Sequence, residues 1–189
     1  MIRRTFLVLA ALLAPCIAAA QPSYKPPPTP TRDVDVMYEI PTREGPASQR
    51  LRFSLMRQAF RIDPPGRGLY VIVDQGRRRM YTVRDDERSV IDMAAPAAWM
   101  PGIHGGHFQR RGNDVVAGLP CTDWETNDSE RRTVLVCMTL DGVMLRARTV
   151  QGATLAIARQ VRFTPVDESI FLVPGSYRRL APPPIPNAR

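Results

Sequence analysis

The stretch TVLVCMTLDGVMLRART, residues 133–149, decides the fold class of this chain. Two apolar runs flank the dipeptide Asp141-Gly142, which predicts a two-residue hairpin turn because both of its positions need positive φ. After the turn, Val143, Leu145 and Ala147 face inward while the arginines that follow face outward, which is the period of a strand with one buried face. The stretch therefore predicts two antiparallel strands joined by a tight turn.

The same period of two recurs from residue 33 to residue 163. Turn sequences rich in Asp, Asn and Gly separate short apolar runs, and no long segment has the period of a helix. Consecutive hairpins place sequence neighbours side by side as antiparallel pairs, and about nine or ten such strands curl rather than stay flat. The predicted strands lie within residues 34–40, 51–55, 60–62, 69–73, 80–83, 90–93, 115–124, 133–139, 143–147 and 155–163.

The predicted fold class is mainly β, a curved antiparallel sheet or incompletely closed β-barrel with one or two short helical segments. One helical turn is predicted after Thr164-Pro165, at Asp167-Glu168. Because few helices are available to cover the sheet, its concave side is predicted to be apolar. Its convex side is predicted to be rich in arginine and wet.

Residues 1–20 have the composition of an export signal. Arg3-Arg4 supplies positive charge, the run from Phe6 to Leu13 is apolar, and Ala18-Ala19-Ala20 supplies small residues for cleavage. This order is typical of a secretory signal peptide, and the apolar run is too short for a stable membrane span. We therefore expect a periplasmic protein whose mature chain begins at Gln21, with no later membrane-spanning segment.

An alternative start is a lipoprotein in which Cys16 becomes the lipid-modified first residue. The sequence Leu13-Ala14-Pro15-Cys16 loosely resembles a lipoprotein signal, although Pro15 is a poor match to one. A single acyl chain at this position tethers a protein to a membrane and does not span it. Cleavage after Ala20 is the favoured interpretation.

Proline-rich segments flank the strand-forming region. Residues 21–32 and residues 181–189 each contain three consecutive prolines and a fourth nearby. Such segments form extended polyproline-type arms without a core of their own. We therefore predict one β domain at residues 33–180, which is long enough to bury a real core.

The chain is basic, with 26 Lys and Arg against 18 Asp and Glu and a formal net charge of +8. Removal of residues 1–20 takes away Arg3 and Arg4 and no acid, which leaves +6. Solvated strand faces explain the excess, and an anionic partner such as lipid headgroups is the functional alternative. Nucleic acid is not an expected partner outside the cytoplasm.

Once residues 1–20 are removed, Cys121 and Cys137 are the remaining cysteines, and they lie symmetrically about Ser129. A hairpin that turns at Ser129 places them directly opposite each other, about 4.5 or 5.5 Å apart at Cα, within the range of a disulfide. The closed loop of about fifteen residues corresponds to roughly 3 kcal/mol of stabilisation. A redox pair favours a Cys-x-x-Cys motif, which is absent, so we predict a structural disulfide.

Sequence signatures of catalysis are missing. The chain has no Gly-x-Ser-x-Gly elbow, no His-Glu-x-x-His motif and no phosphate-binding glycine loop. The paired carboxylates Asp33/Asp35 and Asp85/Asp86 fall on an outward strand face and in a turn, and neither place favours a raised pKa. We expect no enzymatic activity and no cofactor.

His104 and His107 are the two histidines of the chain and form a weak candidate metal site. With Met93 and Met100 nearby in the sequence, imidazole and thioether ligands suit copper in an oxidising compartment. However, the surrounding glycines do not preorganise ligands, and no third ligand has a diagnostic spacing. A loop with two solvated histidines is favoured, and copper binding stays a distant third hypothesis for function.

Inward alternation selects six candidate residues that line an apolar ligand site, namely Tyr38, Phe53, Phe60, Ile72, Leu145 and Ile157. Arg50 and Arg52 are candidates to hold a headgroup near the rim, although solvated arginines are the stronger interpretation. Trp99 and Met100 end a small apolar segment at residues 94–98. They are predicted either to plug one end of the barrel or to form a lid over an apolar cavity, and the plug is favoured.

Several motifs resemble an uncharacterised family of exported proteobacterial proteins. They are the leader, the opening strand Asp33-to-Ile40, Gly118-Leu119-Pro120-Cys121, Cys137-Met138-Thr139-x-Asp141-Gly142-Val143 and Phe171-x-Val173-Pro174-x-x-Tyr177. That family is similar in fold to the periplasmic carriers of outer-membrane lipoproteins, the LolA-like fold. The resemblance implies an unclosed β-barrel with a helical lid and an apolar cavity for acyl chains. The sequence itself lacks the amphipathic helices that such carriers use as lids.

Two hypotheses for function follow. The leading one is a periplasmic binding protein for a lipid or other apolar ligand, held in an incompletely closed β-barrel. The alternative is an envelope protein-interaction or structural module without a small-molecule ligand, whose proline-rich ends and basic convex face contact a partner protein or the cell wall. An interior filled by side chains favours the second hypothesis, and an apolar cavity favours the first.

Overall fold

The computed structural model describes residues 25–95, 99–100, 103–104 and 107–182 of the 189-residue chain. The predicted signal peptide at residues 1–20, including Cys16, lies outside these residues, and so does most of the predicted tail at residues 181–189. Among the described residues, no helix combines the length and apolar character that a bilayer crossing requires.

One large, curved and unclosed sheet dominates the described part of the chain. Its twelve strands are β1 Val34–Thr42, β2 Gly45–Ser54, β3 Ala59–Asp63, β4 Leu69–Asp74, β5 Arg79–Arg84, β6 Ser89–Ala94, β9 Gln109–Val116, β10 Leu119–Asn127, β11 Thr133–Met138, β12 Met144–Thr149, β13 Thr154–Arg162 and β14 Arg178–Leu180. A separate hairpin consists of β7 Trp99–Met100 and β8 Ile103–His104, and a 3-10 turn spans Glu168–Phe171. The predicted mainly-β fold class is confirmed.

Two runs of hairpins meet in the middle of the sheet. The strand order is β14-β6-β5-β4-β3-β2-β1-β13-β12-β11-β10-β9. Every neighbouring pair in this described sheet is antiparallel except β14 and β6, which run parallel. The first strand therefore lies at the centre of the sheet, where β13 pairs with its free side, and β9 and β14 form the two edges.

Turn chemistry differs from the sequence prediction at two places. At Asp141-Gly142 only the glycine has positive φ, 77°, and the N–H of Thr139 donates to the carbonyl of Val143 at 2.9 Å. The loop is therefore a three-residue turn that ends on a left-handed glycine, and the predicted two-residue turn is wrong. A two-residue turn does occur at Ala117-Gly118, which divides the predicted strand 115–124 into β9 and β10.

Most of the main core cluster lies on the face of the sheet that carries Val36, which we call the core face. Directly paired residues stack across it, as Val34 does with Phe53 and Phe53 with Phe60, whose rings are 4.7 Å apart. The buried members are Val34, Val36, Tyr38, Leu51, Phe53, Phe60, Val73, Val116, Cys121, Cys137, Val143, Leu145 and Ala158. Cross-strand packing of this kind stabilises a sheet.

The sequence predicts a polar, solvated outer face, but the face that carries Asp35 is partly apolar. On β4 to β6 it bears a second apolar cluster of Tyr70, Ile72, Val83 and Val90, against which Val173 and Tyr177 pack. The segment that follows the 3-10 turn therefore covers this part of the outer face. A third cluster shares the core face with Ala147 and contains Trp124, Val134, Val136 and Met138, with Phe108 set edge-on against Trp124.

The first described residues are docked on the sheet. Pro26 and Pro30 are buried, and the N–H of Thr31 donates to the carbonyl of Asp141 at 3.0 Å. Arg32 forms an ion pair with the Asp141 carboxylate at 2.7 Å, and its guanidinium lies 3.7 Å above the ring of Phe163. Residues 25–32, which the sequence predicts as an arm without a core, are thus packed against the β11–β12 turn.

Candidate functional site

The middle of the core face is filled by side chains. Tyr38, Phe53, Phe60 and Leu145, four of the six predicted lining residues, are buried together in the main cluster. The space beside Tyr38 and Phe60 has a volume of about 20 Å³. A space of this size holds about one water molecule, so it is too small for an acyl chain. The enclosed cavity that the family resemblance implies does not occur at this place.

The other two predicted lining residues lie elsewhere. Ile72 belongs to the cluster on the outer face, because it pairs with Arg61, whereas its neighbour Val71 pairs with Ile62 of the core face. Ile157 is half-buried and packs against the main cluster, but its register with Glu39 turns it away from Tyr38. The structure therefore brings together four of the six residues, and it brings them together as packed core.

An open groove of about 300 Å³ lies beside the filled core, between β1–β2 and β11–β13. Its floor contains Ala147 and Ala156, which are directly paired across β12 and β13. Because both side chains are single methyl groups, the sheet is uncovered at this point. The larger apolar residues around it are Tyr38, Ile40, Leu51, Val134, Val136, Met144 and Leu155.

Irregular strand register determines which residues line the groove. Between Cys137 and Met138 the pairing shifts, so that Met144 lies opposite Met138 while Arg146 lies opposite Cys137. The bulge brings Met144 to the groove together with Ala147, although simple alternation predicts Leu145 in its place. Of the six predicted residues only Tyr38 lines the groove. The same alternation identifies Ile40 and Leu51, which the candidate set omits.

One end of the groove has a polar rim made of Gln49, Asp128, Ser129 and Arg132. The Asp128 carboxylate accepts hydrogen bonds from the backbone N–H groups of Glu130 at 2.9 Å and Arg132 at 2.8 Å, and from Nε of Arg132 at 2.7 Å. Burial raises the pKa of Asp128, but these hydrogen bonds outweigh it and the net shift is downward. Asp128 is therefore an ionised carboxylate that holds the β10–β11 loop in place.

Tyr38 contributes its ring to the groove and its hydroxyl to the fold. The hydroxyl donates to the carbonyl of Met144 at 2.6 Å and so ties β1 to β12. Burial of the side chain raises the pKa of Tyr38 above its usual range, so the phenol stays neutral. Because the hydroxyl is already hydrogen-bonded to this carbonyl, Tyr38 contributes its apolar ring to the groove wall.

Arg50 and Arg52, the candidate headgroup ligands, lie on the outer face and have carboxylate partners. Arg50 makes two hydrogen bonds to Asp35, at 2.8 and 2.6 Å, and Arg52 pairs with Asp63. The guanidinium of Arg50 holds the pKa of Asp35 below its usual value. These arginines and the groove are on opposite faces, so the structure does not bring them together.

The backbones of Trp99 and Met100 pair with those of His104 and Ile103 in the β7–β8 hairpin. The side chains of Trp99, Met100 and His104 lie outside the described residues, so the plug and lid alternatives stay predictions. His107 is exposed. Within the part of the chain that the structure describes, no three His, Cys, Asp or Glu residues are grouped as metal ligands.

The predicted disulfide joins Cys121 and Cys137, with Cα atoms 5.4 Å apart. The two residues are not directly opposite, however, because Cys137 pairs with Asp123. Asn127 pairs with Thr133, so the hairpin turns about residue 130 and not about Ser129. The bond is diagonal across β10 and β11, and the prediction of direct opposition is wrong.

Comparison with known proteins identifies the fold and no family. No protein-family model and no curated protein sequence matches the chain. An uncharacterised conserved protein from Thermus thermophilus is similar in structure, with a TM-score of 0.58 and 9% identity over 80% of this chain and 91% of that one. The two proteins share a fold.

Two further structural neighbours contain MucB. The crystal structure of MucB gives a TM-score of 0.44 at 12% identity, and the MucA/MucB complex of Pseudomonas aeruginosa gives 0.43 at 11% identity. Each match covers 78% of the present chain, which spans 59% of the MucB chain and 58% of the matched chain in the complex.

Proposed function

We propose that this protein is an exported binding protein that holds the apolar part of a ligand, such as a lipid chain, in the open groove of the core face. The observation that carries the proposal is the directly paired Ala147 and Ala156, which leave about 300 Å³ of space bordered by large apolar side chains. Ligand pockets in proteins begin at about this volume and are mostly apolar. A disulfide between Cys121 and Cys137 supports a place outside the reducing cytoplasm.

The rim restricts what the groove holds. Arg132, the cation among the described rim residues, pairs with Asp128 at 2.7 Å and with Glu130 at 2.8 Å, so two carboxylates already bind its guanidinium. An anionic headgroup therefore competes with two carboxylates for this guanidinium. The proposal concerns an apolar chain or a neutral apolar molecule that lies along the sheet.

The proposal includes no catalysis. The pKa values of Asp35, Asp114 and Asp167 are all lowered, by arginine partners or backbone N–H groups. A general acid near neutral pH needs the opposite shift. These carboxylates serve as ion-pair partners and loop anchors.

The substitution Ala156→Phe tests the groove. A phenyl ring at this position occupies the space above the floor, whereas the buried core beside it is unchanged. With the neutral dye N-phenyl-1-naphthylamine as probe, we expect the wild-type protein to raise the dye fluorescence. We expect A156F to bind it at least about tenfold more weakly.

Ala153→Phe is the matched control, because Ala153 is exposed in the β12–β13 turn and does not line the groove. It adds the same ring to the same hairpin and should leave dye binding unchanged. Equal dye binding by wild type and A156F, both with unchanged melting temperatures, would refute the groove as the site. Native mass spectrometry of protein from a periplasmic extract then identifies the natural ligand.

The filled core favours a second candidate, a protein-interaction or structural module without a small-molecule ligand. The space beside Tyr38 and Phe60 in the main cluster is only about 20 Å³, as a scaffold requires. Capture from a periplasmic extract separates the candidates. A stoichiometric protein partner together with no dye binding supports the module, and dye binding that A156F removes supports the binding protein.

A further inference from the structure

A second cleft, of about 450 Å³, differs from the groove in its chemistry, because cations surround it. It is formed by the β2–β3 turn, the β4–β5 turn, Tyr81 of β5, the segment Phe171–Val173 and Arg179 of β14. The segment that packs on the outer face forms one wall, so the cleft and the groove of the core face are separate sites. We call it the arginine cleft.

Arg77 is the most available cation of the arginine cleft. Its Nε lies 3.8 Å from Oδ2 of Asp74, which is beyond hydrogen-bonding distance, and 80% of its side chain is exposed. The Asp74 carboxylate instead accepts the backbone N–H of Arg77 at 2.8 Å. The N–H donors of this guanidinium can therefore bind two oxygens of a ligand in a bidentate manner.

Two more arginines line the cleft with partners that do not saturate them. Arg57 pairs with Glu168 at 2.5 Å. Arg179 pairs with Asp92 at 3.0 Å, and Asp92 also accepts from Arg79 at 2.8 Å, so one carboxylate serves two guanidinium groups. In these described pairs around the cleft the cations outnumber the anions, and the local balance is positive.

The cleft also has an apolar side. Phe171 is buried, whereas Leu172 is 54% exposed, and Val173 and Tyr81 are half-buried. Exposed apolar surface beside available guanidinium donors matches a ligand with an apolar body and an anionic end. Arginine recognises carboxylate and phosphate groups through the same planar fork of donors.

We propose that the arginine cleft binds a small amphipathic organic anion. Arg77 and Arg179 hold its carboxylate or phosphate, and Leu172, Val173 and Tyr81 contact its apolar part. This site is independent of the groove proposed above, because it lies on the other face and selects for negative charge.

Isothermal titration with decanoate, decyl phosphate and decanol tests the proposal. We expect both anions to bind and the uncharged decanol to bind at least about fivefold more weakly, since it cannot form the charge-assisted hydrogen bonds. Arg77→Gln should weaken decanoate binding by about fivefold. The anion that binds with higher affinity shows whether the cleft prefers a carboxylate or a phosphate.

Arg43→Gln is the matched control, because Arg43 is an exposed arginine in the β1–β2 turn, outside the cleft. The affinity of the R43Q protein for decanoate should equal that of the wild type. Absence of anion binding, equal affinity for decanol and decanoate, or equal effects of R77Q and R43Q would overturn the proposal. Decanoate binding that A156F abolishes would also overturn it and would assign the anion to the groove.

Discussion

Gly142 meets two demands that no other residue type meets at its position. Its φ of 77° is in the left-handed region, and a Cβ atom there would lie 2.7 Å from the carbonyl oxygen of Thr29 and 3.1 Å from Cβ of Pro27. This close approach is what allows Thr31 and Arg32 to bind Asp141. The absence of a side chain at Gly142 therefore lets the segment 25–32 pack directly against the turn.

Substitution of this glycine gives a test at the residue scale. Gly142→Ala and Gly152→Ala both place a side chain at positive φ, which costs roughly 1–2 kcal/mol. Gly152, at φ 94°, has no atom within 4 Å of the added Cβ. We expect G142A to lose clearly more unfolding free energy in urea titrations than G152A, because the backbone at Thr29 must move. Equal losses would show that the close packing of this segment contributes nothing to stability.

At the scale of single elements, the disulfide fixes β10 to β11. It closes a loop across a sequence separation of 16 residues, for which the chain-entropy model gives about 3 kcal/mol. We expect the double variant Cys121→Ala/Cys137→Ala to melt at a lower temperature than the oxidised wild type. The measurement is a thermal scan in non-reducing buffer.

The reduced wild type is the control for that prediction. It retains both buried sulfur atoms and lacks only the bond, so it separates the cross-link from side-chain packing. Reduced wild type and the double variant should melt at similar temperatures, both below the oxidised protein. A double variant as stable as the oxidised protein would contradict a stabilising role for the bond.

Alternation in the sequence predicted most elements, and register shifts limited what it could say about the site. Strands with one apolar face, such as β1 and β2, can be predicted because apolar residues alternate with polar ones along their sequences. In contrast, β9 is polar along most of its length and has no such pattern, and β14 is three residues long. The bulge beside Met138 changes the phase of β12, so the groove residue Met144 could not be identified by alternation.

Ion pairs between arginines and ionised carboxylates cross several strand pairs of the described sheet, and they predict a loss of stability in acid. Arg50 binds Asp35 across β1 and β2, and the hydrogen bonds hold the pKa of that carboxyl below its unfolded value. A carboxyl group whose pKa is lower in the folded state stabilises the fold at pH values above its unfolded-state pKa. This stabilisation is lost as the pH falls through the folded-state pKa. Similar arginine–carboxylate pairs cross β9–β10 and β1–β13.

We therefore expect the melting temperature to decrease as the pH is lowered through about 4. Asp35→Asn should lose about 1 kcal/mol at neutral pH and show a shallower decline in acid than the wild type. Asp86→Asn, at an exposed turn position, is the control and should follow the wild-type curve. Parallel acid declines for wild type and D35N would exclude Asp35 as a source of this dependence.

The central position of β1 has a consequence for how the protein is assembled. Strands β1 to β6 form one continuous series of hairpins, β9 to β13 form another, and the two series meet at the seam where Val36 pairs with Val161. A nick in the connector between β6 and β9 leaves both series intact. Two separately expressed fragments should therefore recognise each other along that seam, and β14 should then clamp the second fragment onto the first.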